Sequence, residues 1–391
     1  MDTEVVIVGA GVSGMSLALS LAKEGVEVCL IDKSQPDTSK DFYTGKTAAL
    51  NLASQKILED LGVWDAIKEF SSDFKNIYVW DHEGTSSVEF CCDEVGRNKL
   101  GAVVPNKAIL AGILSQLSNY SNLQFLTGEN LSDLHTKDDT IVLTTASGKT
   151  ISSRLVVGAD GGLSSVRSMS SIKIRTWSYE QKAIVGTLKS TKPHNNTAYQ
   201  VFTKEGPVAL LPLQKNGKEM LSLVWSADTS YADSILDLKT DDFLKELEIK
   251  TESVLGELSL EGELSSFPLH QLHARNYFGD RVVLVGDAAH SIHPLAGQGL
   301  NLGLGDVKQL SDGILRARRY GEDVGSKKIL FTYSKSRKKV NLRMMGLMEV
   351  FKKGFGTSNP WMKLGRNIIF DVTKRSSEVR KRFIKEAAGI I

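Results

Sequence analysis

The sequence predicts an α/β chain in which a Rossmann-like domain is interleaved with a mixed β-sheet domain and followed by a helical C-terminal region. Three observations lead there. Glu4-Val5-Val6-Ile7-Val8 is an apolar run ending in glycines, Ser13 to Lys23 follows with helical periodicity, and Val26 to Ile31 is a second apolar run: a β-α-β unit at the N-terminus. Two later apolar runs also end in Gly and Asp, Leu155 to Asp160 and Val282 to Asp287, so three pieces of one domain lie far apart in the chain. Between Asp160 and Asp287 the pattern changes to strand-like runs such as Ala183 to Leu188, Val208 to Leu211 and Leu221 to Trp225, interrupted by the helical-looking Asp241 to Leu258.

These shifts put the nucleotide domain at residues 1–75, 98–175 and 270–330, and the second domain at 76–97 and 176–269, with Ile77 to Phe90 contributing a strand or two. Residues 331–391 read as a basic helical region with a break at Gly354 to Pro360. At 391 residues, 41% hydrophobic and 24% charged, the chain has globular composition and enough length for two intertwined domains, which excludes the disordered and fibrous classes. The net charge of +2 hides an asymmetry: from Lys327 to the end 17 Lys and Arg face 4 Asp and Glu, so a basic tail follows an acidic body. Cys29, Cys91 and Cys92 have neither disulfide-framework nor zinc-site spacing, which points to a reducing compartment. Val5 to Ala22 is apolar but lacks a basic leader, so a soluble or peripheral protein is expected, cytoplasmic or held on the inner membrane.

Gly9-Ala10-Gly11-Val12-Ser13-Gly14 is a G-x-G-x-x-G between a strand and a helix. Its first glycine permits the tight turn, the second lets backbone approach a pyrophosphate, and the third allows close helix-strand packing, while the helix N-terminus offers amides to the anion. Asp32 follows the second strand, about 20 residues on, where a carboxylate accepts hydrogen bonds from ribose hydroxyls. Asp160-Gly161-Gly162-Leu163-Ser164-Ser165-Val166-Arg167 reads as a sharp turn into a helix, with Ser164 placed to cap it. Gly286-Asp287-Ala288-Ala289-His290 leads into His293-Pro294 and the small-residue run Gly297 to Asp306, where backbone amides can approach a flat ring edge and Asp287 can reach polyol hydroxyls. NAD-dependent dehydrogenases need no such third segment.

On these motifs the chain resembles the p-hydroxybenzoate hydroxylase-like flavoprotein monooxygenases, and more narrowly the ubiquinone-biosynthesis hydroxylases of the UbiH/UbiF/COQ6 family. The most specific stretch is Gly286 to Asp306, supported by Leu61-Gly62-Val63-Trp64, Phe202 to Pro212 and Phe267-Pro268-Leu269. The resemblance implies a glutathione reductase type FAD-binding domain. Gly9, Gly11, Gly14 and Asp32 then hold the ADP half of FAD, Gly286 and Asp287 the ribityl chain, and the backbone around Pro294, Gly299, Leu300 and Asn301 faces the isoalloxazine. Asp160, Gly161 and Arg167 take a double role at FAD and a reducing nicotinamide. Two positions depart from the family pattern: Lys46 stands where an arginine near the flavin is usual, keeping the charge without the planar fork, and Pro105 replaces a glutamate at a helix start.

The implied reaction is hydroxylation of the aromatic ring of a polyprenylated phenol or benzoquinol by O2 through a flavin hydroperoxide, so the hard chemistry belongs to the cofactor and no metal or nucleophile is expected. His290 and His293 are the candidates for proton transfer with the phenol, against structural or flavin-positioning roles. His270 and His273 are expected at a surface or domain boundary, and Tyr78, Trp80 and Phe90 in sheet core. With no second G-x-G-x-x-G, the electron donor is NAD(P)H bound transiently or a protein. The amphipathic basic stretch Leu342 to Lys353 suits an anionic membrane surface or an acidic partner in a biosynthetic complex, against the plainer reading of a helix covering the flavin domain; no nucleic-acid reader motif is present. The alternatives kept open are a hydroxylase of a small soluble aromatic substrate and a non-catalytic FAD-binding subunit.

Overall fold

A computed structural model of the chain describes residues 1–37, 41–82, 84, 87–291, 298–355 and 376–389. The first sheet has seven strands. Its parallel centre runs Leu123–Thr127, Val28–Asp32, Asp2–Val8, Thr150–Gly158 and Val282–Leu284. Thr140–Thr145 and Leu131–Lys137 extend it as an antiparallel hairpin. Val5, Val6, Ile7, Leu155, Val156, Val157, Val283 and Leu284 are all inaccessible to solvent, the near-continuous apolar pattern of a parallel sheet covered on both faces. The register aligns the ends of the strands: Val8 lies beside Ile31 and Gly158, and Gly158 beside Leu284. The turns that follow three of these strands therefore leave the sheet along one edge, the carboxyl edge, where open α/β sheets bind their ligands.

The second sheet has eight strands in the order His290–Ser291, Leu258–Ala274, Ile174–Ser190, Lys218–Asp228, Pro207–Lys215, Thr197–Phe202, Asn76–Asp81 and Ser87–Cys91. Its pairings are antiparallel except between Thr197–Phe202 and Asn76–Asp81. Helices Thr229–Leu236 and Thr240–Lys250 cover it, with Trp225, Phe243 and Leu247 in the core between them. Trp80 joins that core, while Tyr78 is half-buried beside it and Phe90 packs on the opposite side. The helix expected over Asp241 to Leu258 stops at Lys250, because Glu252 and Ser253 take positive φ and Gly256 turns the chain into the next strand.

A small sheet of Thr47–Asn51, Gly101–Pro105 and Ser72–Phe74 lies between the two. Its Ala49, Phe74 and Val103 share one apolar cluster with Ala209, Leu211 and Met220 of the large sheet. Strand Leu258–Ala274 runs across the domain boundary expected at 269/270 and pairs with His290–Ser291, so the third nucleotide segment is hydrogen-bonded into the second sheet. Helices Gln298–Arg319 and Lys327–Phe355 follow. The last helix, Ser377–Ala387, returns to the second domain, where Arg380 pairs with Glu94 at 2.8 Å and Ile384 is buried against the shared cluster. Among the described residues no helix is long and apolar enough to cross a membrane.

Candidate cofactor site

The three turns at the carboxyl edge are packed so closely that several of their glycines have no room for a side chain. At Gly9, which has φ +111°, a Cβ would lie 2.3 Å from the Ala159 carbonyl oxygen, and at Gly14 it would lie 1.9 Å from the Gly9 carbonyl oxygen and 3.1 Å from the Ala159 Cβ. The first segment is thereby pressed onto the second. At Gly286 a Cβ would meet Ser13 Oγ at 3.0 Å, and at Gly303, one turn into helix Gln298–Arg319, it would meet the same oxygen at 2.6 Å. Ser13 sits in the first turn of Val12–Lys23, so the third segment is pressed onto the first.

Gly11 behaves differently. It is the N-cap of helix Val12–Lys23, and a Cβ there would meet nothing within 4 Å. A glycine with free space in front of it, heading a helix whose first amides lack partners, is what close approach of a diphosphate requires. Asp32 organises the mouth of this turn, Oδ2 accepting from Ala10 N–H at 2.6 Å and Oδ1 from Ser34 N–H at 2.9 Å, with acceptor capacity left for hydroxyls.

In the second segment Asp160 Oδ2 accepts from the amides of Ser165 and Val166 at 2.7 and 3.2 Å, while its Oδ1 is buried without a partner among the described residues. Ser164 Oγ caps the helix by accepting from Arg167 N–H at 3.0 Å, as its position predicts. Arg167 is 5% exposed and spans two segments, donating to the carbonyls of Gly162 at 2.7 Å and Ala288 at 2.9 Å. Burial pulls its pKa down and Asp160 pulls it back up. Gly161 takes φ +79° in the turn and leaves open space in front of it.

In the third segment Asp287 is open to solvent although protein surrounds it closely, the situation of a group lining a deep cleft. Its carboxyl pKa is raised by burial and held back by the charges of His290 and Lys46. Lys46 also lies over the Phe267 ring at 3.8 Å, so it stands between the two domains. Asn301, in the first turn of Gln298–Arg319, uses its side chain as a clamp: Nδ2 donates to the Ala49 carbonyl at 2.9 Å and Oδ1 accepts from Asn51 N–H at 3.0 Å. Gly299 and Leu300 share that turn. His293 and Pro294 lie outside the described residues.

His290 is 1% exposed, and its Nε2–H donates to Asp306 at 2.5 Å. The carboxylate partner that the sequence spacing did not reveal is thus Asp306, 16 residues on, whose pKa is lowered by His290 and Arg337 against its burial. The one available signal was that Asp306 falls on the apolar stripe of its helix, with Leu302 and Leu310 one turn to either side, all three buried. Of the two histidines expected at a surface or domain boundary, His270 is exposed, while His273 is 5% exposed in the strand that pairs with His290–Ser291, and Tyr277 O–H donates to its Nε2 at 3.0 Å. Burial, followed by the charges of His290, Lys338 and Arg175, pushes His273 down to about 4.

A pH prediction follows. An unfolded chain takes up a proton on this ring near 6.5, whereas the folded chain refuses it until about 4, so the contribution is complete above 6.5 and is lost as pH falls between those values. That linkage is worth roughly 3 kcal/mol. The difference in urea unfolding free energy between pH 7 and pH 4 should shrink by this order in His273→Gln; an identical difference in parent and variant would contradict the assignment.

A separate cavity of about 390 Å³ opens between Trp64, Lys99, His194 and Gln214, away from all three segments. Among the described residues the one cluster with metal-ligand geometry is Cys91, Cys92 and Asp93, none of which belongs to the three segments.

Comparison with known proteins shows the family and the fold. A family model described as an FAD binding domain matches residues 2–347. The ubiquinone hydroxylase UbiL of Rhodospirillum rubrum is 33% identical over 389 residues, covering 99% of this chain and 90% of that protein. The 3-demethoxyubiquinol 3-hydroxylase of Escherichia coli is 33% identical over 394 residues, 99% of each. In solved structures the fold is shared with the p-nitrophenol 4-monooxygenase PnpA of Pseudomonas putida, at a TM-score of 0.80 and 20% identity over 99% of this chain and 98% of that one. The chain belongs to the family of FAD-dependent monooxygenases that carry this FAD-binding domain, the family that includes these ubiquinone-biosynthesis hydroxylases.

Proposed function

We propose that this protein hydroxylates the aromatic ring of a polyprenylated phenol or benzoquinol during ubiquinone biosynthesis. The observation that carries the reading is the convergence of three sequence-remote segments on one cleft, in a chain similar over its whole length to relatives named for ubiquinone hydroxylation. FAD, once bound and reduced, supplies the activation of O2. Per turnover a ring C–H becomes C–OH, the second oxygen atom leaves as water, and two electrons come from a donor, either NAD(P)H bound transiently or a reduced protein.

The residues of this chain bind, orient and shield. The helix headed by Gly11 offers amides to the diphosphate, Asp32 and Asp287 offer acceptors to the ribose and ribityl hydroxyls, and the partnerless Asp160 Oδ1 offers one more. The start of helix Gln298–Arg319, with Gly299, Leu300 and Asn301, would hold the ring of a bound flavin, where its positive end would favour negative charge. Lys46 adds a cation on the same side. His290, donor to Asp306, serves to position the flavin-facing turn.

The basic helix Lys327–Phe355 carries the exposed Lys335 and Lys339 on the face of the exposed Phe331 and Leu342. Apolar tips among cations suit the anionic face of a bilayer, where a prenylated substrate resides, at about 1 kcal/mol per cation near the surface. Flotation with anionic liposomes at low salt should carry the protein upward; absence of binding removes the membrane part of this reading.

The test of the reaction is mass spectrometry of quinone intermediates in cells lacking this chain, with and without a plasmid copy. A prenylated precursor short of one hydroxyl should accumulate and clear on complementation. Unchanged quinone pools point to the small-aromatic alternative. Purified holoprotein that oxidises no donor and consumes no O2 with a short-chain prenylphenol points to a non-catalytic subunit.

A further inference from the structure

Asp306 is completely buried, and a carboxylate at that depth is stable only if it is paired and hydrogen-bonded. It has four donors. Oδ2 accepts from Gly286 N–H at 3.0 Å and from His290 at 2.5 Å; Oδ1 accepts from Arg337 Nε at 2.6 Å and Asn341 Nδ2 at 3.4 Å. Two of these donors, Gly286 and His290, bracket Asp287 in the turn that lines the cleft. The other two lie in helix Lys327–Phe355, outside all three flavin segments. Arg337 reaches further, donating through Nη2 to the Leu302 carbonyl at 3.1 Å and to Asn341 Oδ1 at 3.2 Å. Its guanidinium occupies space left by Gly305, where a Cβ would lie 2.8 Å from Nη2. Asn341 also donates to Tyr277 O–H at 3.2 Å, tying the same helix to His273 and so to the second sheet.

We propose that Asp306 and Arg337 are positioning residues through which the C-terminal basic helix sets the affinity of the flavin cleft. Arg337 fixes the Asp306 carboxylate, and Asp306 fixes the Gly286 amide and the His290 ring, which together hold the turn that carries Asp287. The proposal rests on the FAD reading. Coupling between two sites is reciprocal, so FAD in the cleft must in turn tighten the seat of the helix. Helix Ser377–Ala387 is tied to the same arm by the pair Arg343–Glu386 at 2.9 Å, which extends the coupling toward the chain end.

The test uses full-length apoprotein titrated with FAD, read by flavin fluorescence, together with amide hydrogen exchange of residues 327–345 with and without FAD. Arg337→Met should raise the FAD Kd at least tenfold and abolish the FAD-induced slowing of exchange in that helix. Arg337→Lys should recover part of the affinity, because it restores the charge but not the fork. Ile314→Val, a fully buried change in helix Gln298–Arg319, should lower stability and leave the Kd within twofold. The proposal is overturned if Arg337→Met binds FAD within twofold of the parent. It is overturned equally if FAD leaves exchange over 327–345 unchanged in the parent, a readout that needs no variant to fold. A parent that takes up no FAD sinks the flavin reading itself.

Discussion

Gly11→Ala is expected to give an apoprotein of nearly parental stability that binds FAD at least about 100-fold more weakly, a loss of about 2.7 kcal/mol or more. The two effects separate because of where the methyl group goes. Gly11 has φ −73° and ψ 177°, a conformation open to any residue, and among the described residues beyond its chain neighbours no atom lies within 4 Å of the added Cβ. Loss of a glycine N-cap costs about 1 kcal/mol at most. On the FAD reading the methyl would stand at the head of helix Val12–Lys23, in the way of a diphosphate reaching the helix amides. Gly14→Ala is the opposite case: its Cβ would stand 1.9 Å from the Gly9 carbonyl, so strand, turn and helix must separate and stability falls along with binding. Thermal melts of the two apoproteins beside FAD titrations distinguish the roles. Parental FAD affinity in Gly11→Ala would mean that the phosphates bind elsewhere.

What the sequence made legible was local or periodic. Each strand-turn-helix could be read because the apolar run, the glycines and the capping serine are contiguous, and Ser164 is found capping Arg167 N–H. The pairing of His290 with Asp306 could not be read this way. Those residues belong to different elements, His290 to a short strand and Asp306 to a helix that begins at Gln298, and nothing in linear spacing brings position 290 onto the buried stripe of that helix. Arg337 and Asn341, further along, are charged and polar residues in a strongly basic helix, indistinguishable in sequence from its solvated lysines.

The sequence left open whether His273 lies at a surface or at a domain boundary, and strand alternation could have narrowed it. Successive side chains of a strand alternate between faces, so positions 270 and 273, an odd number of residues apart, cannot share an environment. One of the two had to point inward. Asn301 shows the other limit: its place in the third motif marked it for the cofactor side, yet its side chain is committed to Ala49 and Asn51, a contact created only when the small sheet is laid against the helix.

Arg167→Lys is expected to lower the unfolding free energy by roughly 2–3 kcal/mol and to weaken FAD retention, while the KM for whichever electron donor serves the flavin-saturated enzyme, NAD(P)H or a reduced protein, stays within about twofold. The arginine is 5% exposed and uses two guanidinium nitrogens to bridge the carbonyls of Gly162 and Ala288. Those carbonyls belong to the second and third segments, so the fork holds the two walls of the cleft at a fixed separation. A lysine has the charge but a single nitrogen, and whichever carbonyl it abandons is left buried without a donor. Hence the damage should appear in stability and cofactor retention together. Direct recognition of a nicotinamide by this side chain predicts the reverse pattern, a KM raised tenfold or more at parental stability. Urea unfolding of the apoprotein, flavin content after gel filtration and steady-state kinetics at saturating FAD separate the two, because the first two measurements contain no nicotinamide.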